Sequence, residues 1–295
     1  GRGCANSLGS ALQEMTDAID RGVEKLHVGQ PATDGAGVRM TRVIATAELD
    51  HFDPFLLLDE FRSDDPDDYI AGFPDHPHRG FETVTYMLAG AMKHGDNKGN
   101  TGLLGPGSVQ WMTAGRGIVH SEMPQQEDGL MWGFQLWVNL PAGQKMVEPR
   151  YQDIPASEVP ETAVGEGVAA RIIAGELNGV TGPVSGVATE PFYFDVRCEG
   201  PAELRVPTPE THNVFIYPYD GDIRVGADEG THVPRGSIAL LEPGSSVSVR
   251  CNAAARFILV GGKPLNEPIA RYGPFVMNTA EEIREAIMDF QAGRF

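Results

Sequence analysis

Two short histidine-bearing stretches carry the chemistry of this chain. In Asp75-His-Pro-His78 the imidazoles of His76 and His78 stand one residue apart, and His120-Ser-Glu122 places an imidazole and a carboxylate at the same spacing. Residues two apart in an extended chain project from the same face of a strand, so each stretch aims two ligand-type groups at one point. A single His-x-His on a strand is more often a surface or core feature than a ligand. Two such pairs, each following turn residues, favour one shared centre.

Three imidazole nitrogens and one carboxylate oxygen suit a divalent first-row metal. Six-coordinate iron would keep two positions for water, substrate or O2. A closed structural zinc site more often draws on thiolates, and Cys4, Cys198 and Cys251 form no Cys-x-x-Cys pair. An odd count without close spacing also argues against a disulfide framework, and Cys198 and Cys251 fall in strand-like runs as buried apolar residues. Pro77 cannot donate to a sheet ladder, which places His76 and His78 on a sheet edge or where a strand begins. Glu82, four residues beyond His78, is a second candidate carboxylate. Glu122 is preferred as the ligand, with Glu82 as outer support or as the salt-bridge partner that holds a loop. His94 is a weaker candidate, because Gly95 and Asp96 beside it suggest an exposed turn. His27, His51, His212 and His232 have no paired partner and are read as structural or exposed.

The elements that must position these groups are strands. Alternating or β-branched runs over 38–47, 53–61, 81–88, 108–112, 118–123 and 130–140, separated by Gly and Pro turns, describe a small β-barrel or sandwich. A second β-rich block runs from Val168 to about Gly262, and Pro141 to Pro160 between them reads as an extended linker. Residues 12–26 are expected to carry a short helix. Thr279 with Glu282 three residues on forms a capping box, and Ile283, Ala286, Ile287 and Phe290 follow at helical spacing. The acidic stretch 63–68 lacks the glycine and distal glutamate of a calcium loop and reads as a solvated turn.

The two blocks look like diverged repeats. Tyr86 to Gly90 matches Tyr217 to Gly221, and Leu-Leu-Gly-Pro-Gly-Ser108 matches Leu-Leu-Glu-Pro-Gly-Ser245. At the 131-residue spacing of the first match, His76 and His78 fall on Pro207 and Pro209, so a second barrel is expected without ligands. Along 130–140, Trp132 and Phe134 take one face, and Met131, Gln135, Trp137 and Asn139 the other. Phe73, Phe81, Trp111 and Met112 also cluster near the ligand stretches, and side chains encircling a metal in this way could hold a flat aromatic molecule or simply fill a barrel core.

A net charge of −18 repels phosphate backbones and anionic headgroups, which speaks against direct nucleic-acid or membrane binding. No apolar run approaches 18 residues and no basic-then-apolar leader opens the sequence, so a cytoplasmic setting is expected. The Gly-rich stretches match neither GxxxxGK[ST] nor a strand–GxGxxG–helix context, and there is no GxSxG.

The stretches His76 to Leu88 (HPHRGFETVTYML), Gln110 to Pro124 (QWMTAGRGIVHSEMP), Gly273 to Thr279 (GPFVMNT) and Asp53 to Phe61 (DPFLLLDEF) resemble the pirin family. The resemblance runs from about residue 21 to the C-terminus. It implies an all-β, two-barrel member of the cupin superfamily, with two cupin-type β-barrels packed face to face and a C-terminal helix. The implied division is an extension over 1–20, a metal-binding barrel over 21–145, and a barrel without metal over 146–295. It further implies Fe(II), or another divalent first-row metal, held by His76, His78, His120 and Glu122. A quercetin 2,3-dioxygenase activity, opening a flavonol ring with O2 and releasing carbon monoxide, follows from the same resemblance. There Glu122 would take the substrate's hydroxyl proton. A small aromatic substrate with O2 is then the expected partner, and a monomer the expected state. The alternative function is an iron-dependent regulator that binds a transcription factor or metabolic enzyme.

Overall fold

The computed structural model describes residues 18–295. The helix expected over 12–26 lies partly outside them. Its last residues instead belong to the strand Val23–Val28, which pairs antiparallel with Ser237–Leu241. Tertiary pairing overrides a weak helical period there.

Each half of the chain builds a seven-stranded sheet faced by a four-stranded one, in matching order. In the first barrel the large sheet runs Arg150–Ile154, Val109–Thr113, Phe81–Ala89, Met131–Asn139, Phe55–Ser63, Val38–Ile44, Gln30–Asp34. Its small sheet runs Phe73–His78, Ile118–Pro124, Met92–Asp96, Thr101–Leu104. In the second, the large sheet is Val23–Val28, Ser237–Leu241, Asn213–Asp220, Ala255–Gly262, Phe192–Cys198, Val168–Ala174, Glu161–Gly165. The small one is Ala202–Pro207, Ser246–Cys251, Ile223–Val225, Thr231–Val233. Strand pairing therefore crosses between residues 21–145 and 146–295 twice. Val23–Val28 completes the second barrel, and Arg150–Ile154, inside the stretch read as a linker, completes the first.

Period-2 alternation explains the packing of the large sheets. On Met131–Asn139, Trp132, Phe134, Leu136 and Val138 enter a core shared with Phe215, Tyr217 and Ile258 of the other barrel. This is the face-to-face contact. The opposite face turns Gln135 and Trp137 into the first barrel's own interior, where they line a cavity. The chain closes with the helix Ala280–Gln291. The Thr279 hydroxyl accepts from Glu282 N at 3.2 Å, and Ile283 and Ala286 are buried against Phe275 and Met277. Among the described residues no helix is long and apolar enough to cross a membrane.

One sequence anchor is displaced. Leu103 to Ser108 leads into Val109–Thr113, but Leu240 to Ser245 leads into Ser246–Cys251, one turn later in the repeat. The matching turn is Val233 to Ser237. Ser108 N and Ser237 N each donate to the carbonyl three residues back at 3.1 Å, and Gly107 N and Gly236 N donate to Met87 O and Pro218 O. Pro-Gly-Ser recurs because tight turns favour it, not because the two sites correspond. The counterparts of the histidine-bearing strands are Ala202–Pro207 and Ser246–Cys251. Their buried, inward residues are Leu204, Val206, Val247, Val249 and Cys251. Pro207 is exposed at its strand's end, so the apolar residues beside it, rather than prolines, fill that interior.

Candidate metal centre

Phe73–His78 is an edge strand, as Pro77 requires, and pairs antiparallel with Ile118–Pro124. The two half-sites are thus on neighbouring strands. His76 lies opposite His120 and His78 opposite Ile118. Ring centroids are 4.4 Å apart for His76 and His120, 4.7 Å for His76 and His78, and 5.0 Å for His78 and His120. One nitrogen from each ring lies within 4.8 Å of the others.

These rings have the chemistry of ligands in waiting. Nδ1 of His78 and both nitrogens of His120 are buried without a hydrogen-bond partner, a costly state unless something else takes the lone pairs. His76 Nδ1 is 2.7 Å from Pro74 O. A proton shared there leaves Nε2 as the free donor atom, the way a ligating histidine is oriented. Burial first, and then the neighbouring imidazoles, hold His78 and His120 well below the ordinary histidine range. Both rings are therefore neutral, as a metal requires. The donor set fits a divalent first-row cation.

Glu122 is buried on the same strand as His120, but it is not among the three groups within 4.8 Å. The strand register shifts between His120 and Glu122. Glu122 Oε1 accepts from the Thr85 hydroxyl at 2.8 Å, and Thr85 Oγ1 lies 3.1 Å from Gln135 Oε1. Glu122, His76 and His78 all line a cavity of about 570 Å3 whose walls include Phe73, Leu57 and Trp137. The Trp137 ring lies 5.3 Å from that of His78 and 4.4 Å from Phe81 behind it. Of the remaining side chains expected here, Trp111 packs in the core between the barrels, and Met112 packs with Ala114 and Ile118.

Two sequence readings change. Glu82 lies on the opposite face of its strand from Thr85 and accepts from Thr113 Oγ1 at 2.7 Å. Burial raises its pKa, and it forms no ion pair among the described residues, so it is not a salt-bridge partner. His94 is not in an exposed turn. It is buried in Met92–Asp96, stacked 5.8 Å from Tyr151, and outside the triad. Its strand pairs on both sides, which neighbouring Gly95 and Asp96 do not reveal.

Sequence reasoning missed the residues that fix His78 from behind. At Gly80, with φ +92°, a Cβ would lie 1.9 Å from Val276 O, so only glycine lets the chain pass this close. Lys145 is fully buried and its Nζ donates to Gly80 O (2.8 Å), Asn139 Oδ1 (2.7 Å) and Val276 O (3.0 Å). Burial draws it down to about 8. Arg79 donates through Nε to Arg116 O and through Nη1 to Asp289 on the C-terminal helix at 2.8 Å, with its guanidinium 4.5 Å over Phe295. A lysine in Pro-Ala-Gly-Gln-Lys145 carries no sequence signal of such a role.

Two cupin barrels, one of them holding three convergent histidines beside a part-apolar cavity, define a bicupin with a single metal-type centre among the described residues. The chain belongs to the pirin family. Residues 37–138 match the Pirin family model and 193–295 match that of the Pirin C-terminal cupin domain. It is 49% identical to a pirin-like protein of Caulobacter vibrioides, over 93% of this chain and 99% of that one. It is 45% identical to human pirin, over 88% of each. The solved structure of a quercetin 2,3-dioxygenase from Acinetobacter baumannii superposes with a TM-score of 0.87 at 33% identity, covering 94% of this chain and 99% of that chain.

Proposed function

We propose that this protein is a metal-dependent oxygenase of the quercetin 2,3-dioxygenase type, acting on a flavonol-like hydroxylated aromatic with O2, and that Fe(II) is its working metal. The observation that carries this reading is the convergence of His76, His78 and His120, with buried ring nitrogens of His78 and His120 left without a hydrogen-bond partner, beside a cavity that His76, His78, Trp137 and Phe73 line. The match to the Acinetobacter enzyme supports it. His76, His78 and His120 hold the metal, with Glu122 as the fourth group. The metal would supply Lewis acidity toward a phenolic hydroxyl and one-electron exchange with O2. Trp137 and Phe73 orient the flat substrate, with Leu57 and Phe61 as further apolar wall. Glu122 accepts the hydroxyl proton at its carboxylate, which the Thr85 hydroxyl holds in place. The working state is a cytoplasmic monomer.

The test is direct. Fe(II)-loaded protein is mixed with quercetin in air, and the flavonol absorbance and O2 are followed together. Absorbance falls with O2 uptake in the native protein. It stays flat in His76→Ala, and Glu122→Gln slows it by roughly 10²–10⁴-fold. A flat trace from fully iron-loaded native protein refutes the reading.

A further inference from the structure

The mouth of the metal cavity carries two arginines with different surroundings. Arg42 is paired with two carboxylates. Its Nε and Nη2 donate to Asp59 at 2.9 and 2.8 Å, and Nη2 also donates to Asp34 at 2.8 Å. Arg271 lines the same cavity, yet among the described residues no carboxylate lies within ion-pair distance of it. Its guanidinium makes one hydrogen bond, from Nη1 to Leu56 O at 3.1 Å, and lies 4.9 Å over the Trp137 ring.

We propose that Arg271 anchors a carboxylate on the substrate, so that the molecule this cavity takes is a hydroxylated aromatic acid. Its hydroxyls face His76, His78 and His120, and its acid group meets Arg271 at the mouth. This deepens the oxygenase reading and rests on it for the orientation of the hydroxyl end.

The geometry favours this arrangement. Trp137 touches both ends, with its ring 5.3 Å from His78 and 4.9 Å from the guanidinium. One flat molecule lying along that indole can reach both the triad and the cation. Arginine presents a fork of parallel N–H donors that matches a carboxylate two-on-two, and here most of that fork is unused. The nearby acids do not fill the role. Asp34 and Asp59 are turned to Arg42, and Asp75, exposed like Arg271 itself, makes no ion pair with it, so water and salt screen what attraction remains. The charge balance agrees. Partial burial of a side chain that still reaches solvent, together with the neighbouring Arg42 charge, depresses Arg271 below the ordinary arginine range, and Asp50, Asp59 and Asp34 offset this only in part. The hydrogen bonds from Asp59 instead raise Arg42. Arg271 is the guanidinium of this cavity that lacks its anion.

The test compares two ligands of one shape. The metal-loaded protein is titrated calorimetrically without oxygen, once with 3,4-dihydroxycinnamate and once with its primary amide. The carboxylate binds roughly tenfold tighter than the amide, and the gap narrows as salt rises. Arg271→Gln brings the two affinities within about twofold at unchanged metal content, and Arg271→Lys keeps a preference for the acid. Equal binding of both ligands by the native protein, binding of neither, or a preference that survives Arg271→Gln overturns the proposal. O2 uptake with quercetin is measured on the same samples. Loss of uptake beside an intact carboxylate preference refutes the oxygenase reading alone, and the converse refutes the Arg271 site alone.

Discussion

The two barrels share a strand order but hold opposite interiors. In the first, the two strands at one end of the small sheet turn His76, His78, His120 and Glu122 inward. In the second, the corresponding strands turn in Leu204, Val206, Val247, Val249 and Cys251. An apolar interior is stabilised by its own burial, whereas buried imidazoles without partners oppose folding until a ligand occupies their lone pairs. The first barrel therefore accepts a weaker core in exchange for a site, and the second supplies the rigid face against which it packs. The most disruptive way to probe this contrast is to cut equivalent interiors. His120→Ala should reduce bound metal from stoichiometric to trace amounts, measured by elemental analysis, with the thermal transition retained. Val249→Ala should leave metal content unchanged and cost about 1–3 kcal/mol in denaturant unfolding. Metal loss from the second variant would break the comparison.

The first barrel is not self-sufficient. The turn after His78 is held by Lys145 and, from the second half of the chain, by Val276 N on Arg79 O and by the helix residue Asp289, so that half helps to brace the metal strand. Lys145→Met leaves Gly80 O, Asn139 Oδ1 and Val276 O without their shared donor. It should cost about 3 kcal/mol and weaken metal binding, read by chelator competition. Amide exchange in Ser246–Cys251 should not change. If stability falls but metal affinity does not, the brace is structural only.

Next in size is the contact between the barrels, where the comparison becomes a symmetry. Tyr217 of the second donates to Glu60 of the first at 2.6 Å, and Tyr86 of the first donates to Asp195 of the second at 2.5 Å. Each carboxylate has a second donor from its own barrel, Trp132 for Glu60 and Tyr219 for Asp195. Tyr86→Phe and Tyr217→Phe should each cost about 1–2 kcal/mol by chemical denaturation. Similar values would support equal partnership. A much larger value at Tyr86, which Arg171 also contacts at 3.0 Å, would show that the second barrel's carboxylate depends more on the first.

These differences were unevenly legible in the sequence. The half-sites could be read because strand alternation is local: two residues apart means one face, whatever the fold. The face assignment along Met131–Asn139 held for the same reason. Val23–Val28 could not be read as a strand of the other barrel, because its residues are mostly exposed and no alternation marks it. Arg150–Ile154 buries only Ile154, so its pairing with Val109–Thr113 left almost no hydrophobic trace. His94 was misread because Gly and Asp usually signal turns, and here they sit in a short paired strand. The false Leu-Leu-x-Pro-Gly-Ser match shows the same limit. Turn chemistry recurs wherever a chain must reverse, so it aligns turns rather than homologous positions.

The smallest expected effect gives the sharpest form of the contrast. Cys251 faces the second barrel's interior from the strand that corresponds to Ile118–Pro124, near where that strand carries Glu122 in the first. Its thiol is buried, with Sγ 3.0 Å from Cys198 Sγ, and both cysteines are free. A buried thiol behaves as a small hydrophobe with a weak donor, so Cys251→Val preserves most of the contact and approximates the volume. It should change stability by less than about 1.5 kcal/mol and leave metal content as it was. Glu122→Val has no such latitude, because it strips Thr85 of its carboxylate partner and the cavity of its carboxylate. If Cys251→Val instead lowered metal loading, the two interiors would be coupled through the shared core. The second barrel would then be part of the site rather than its support.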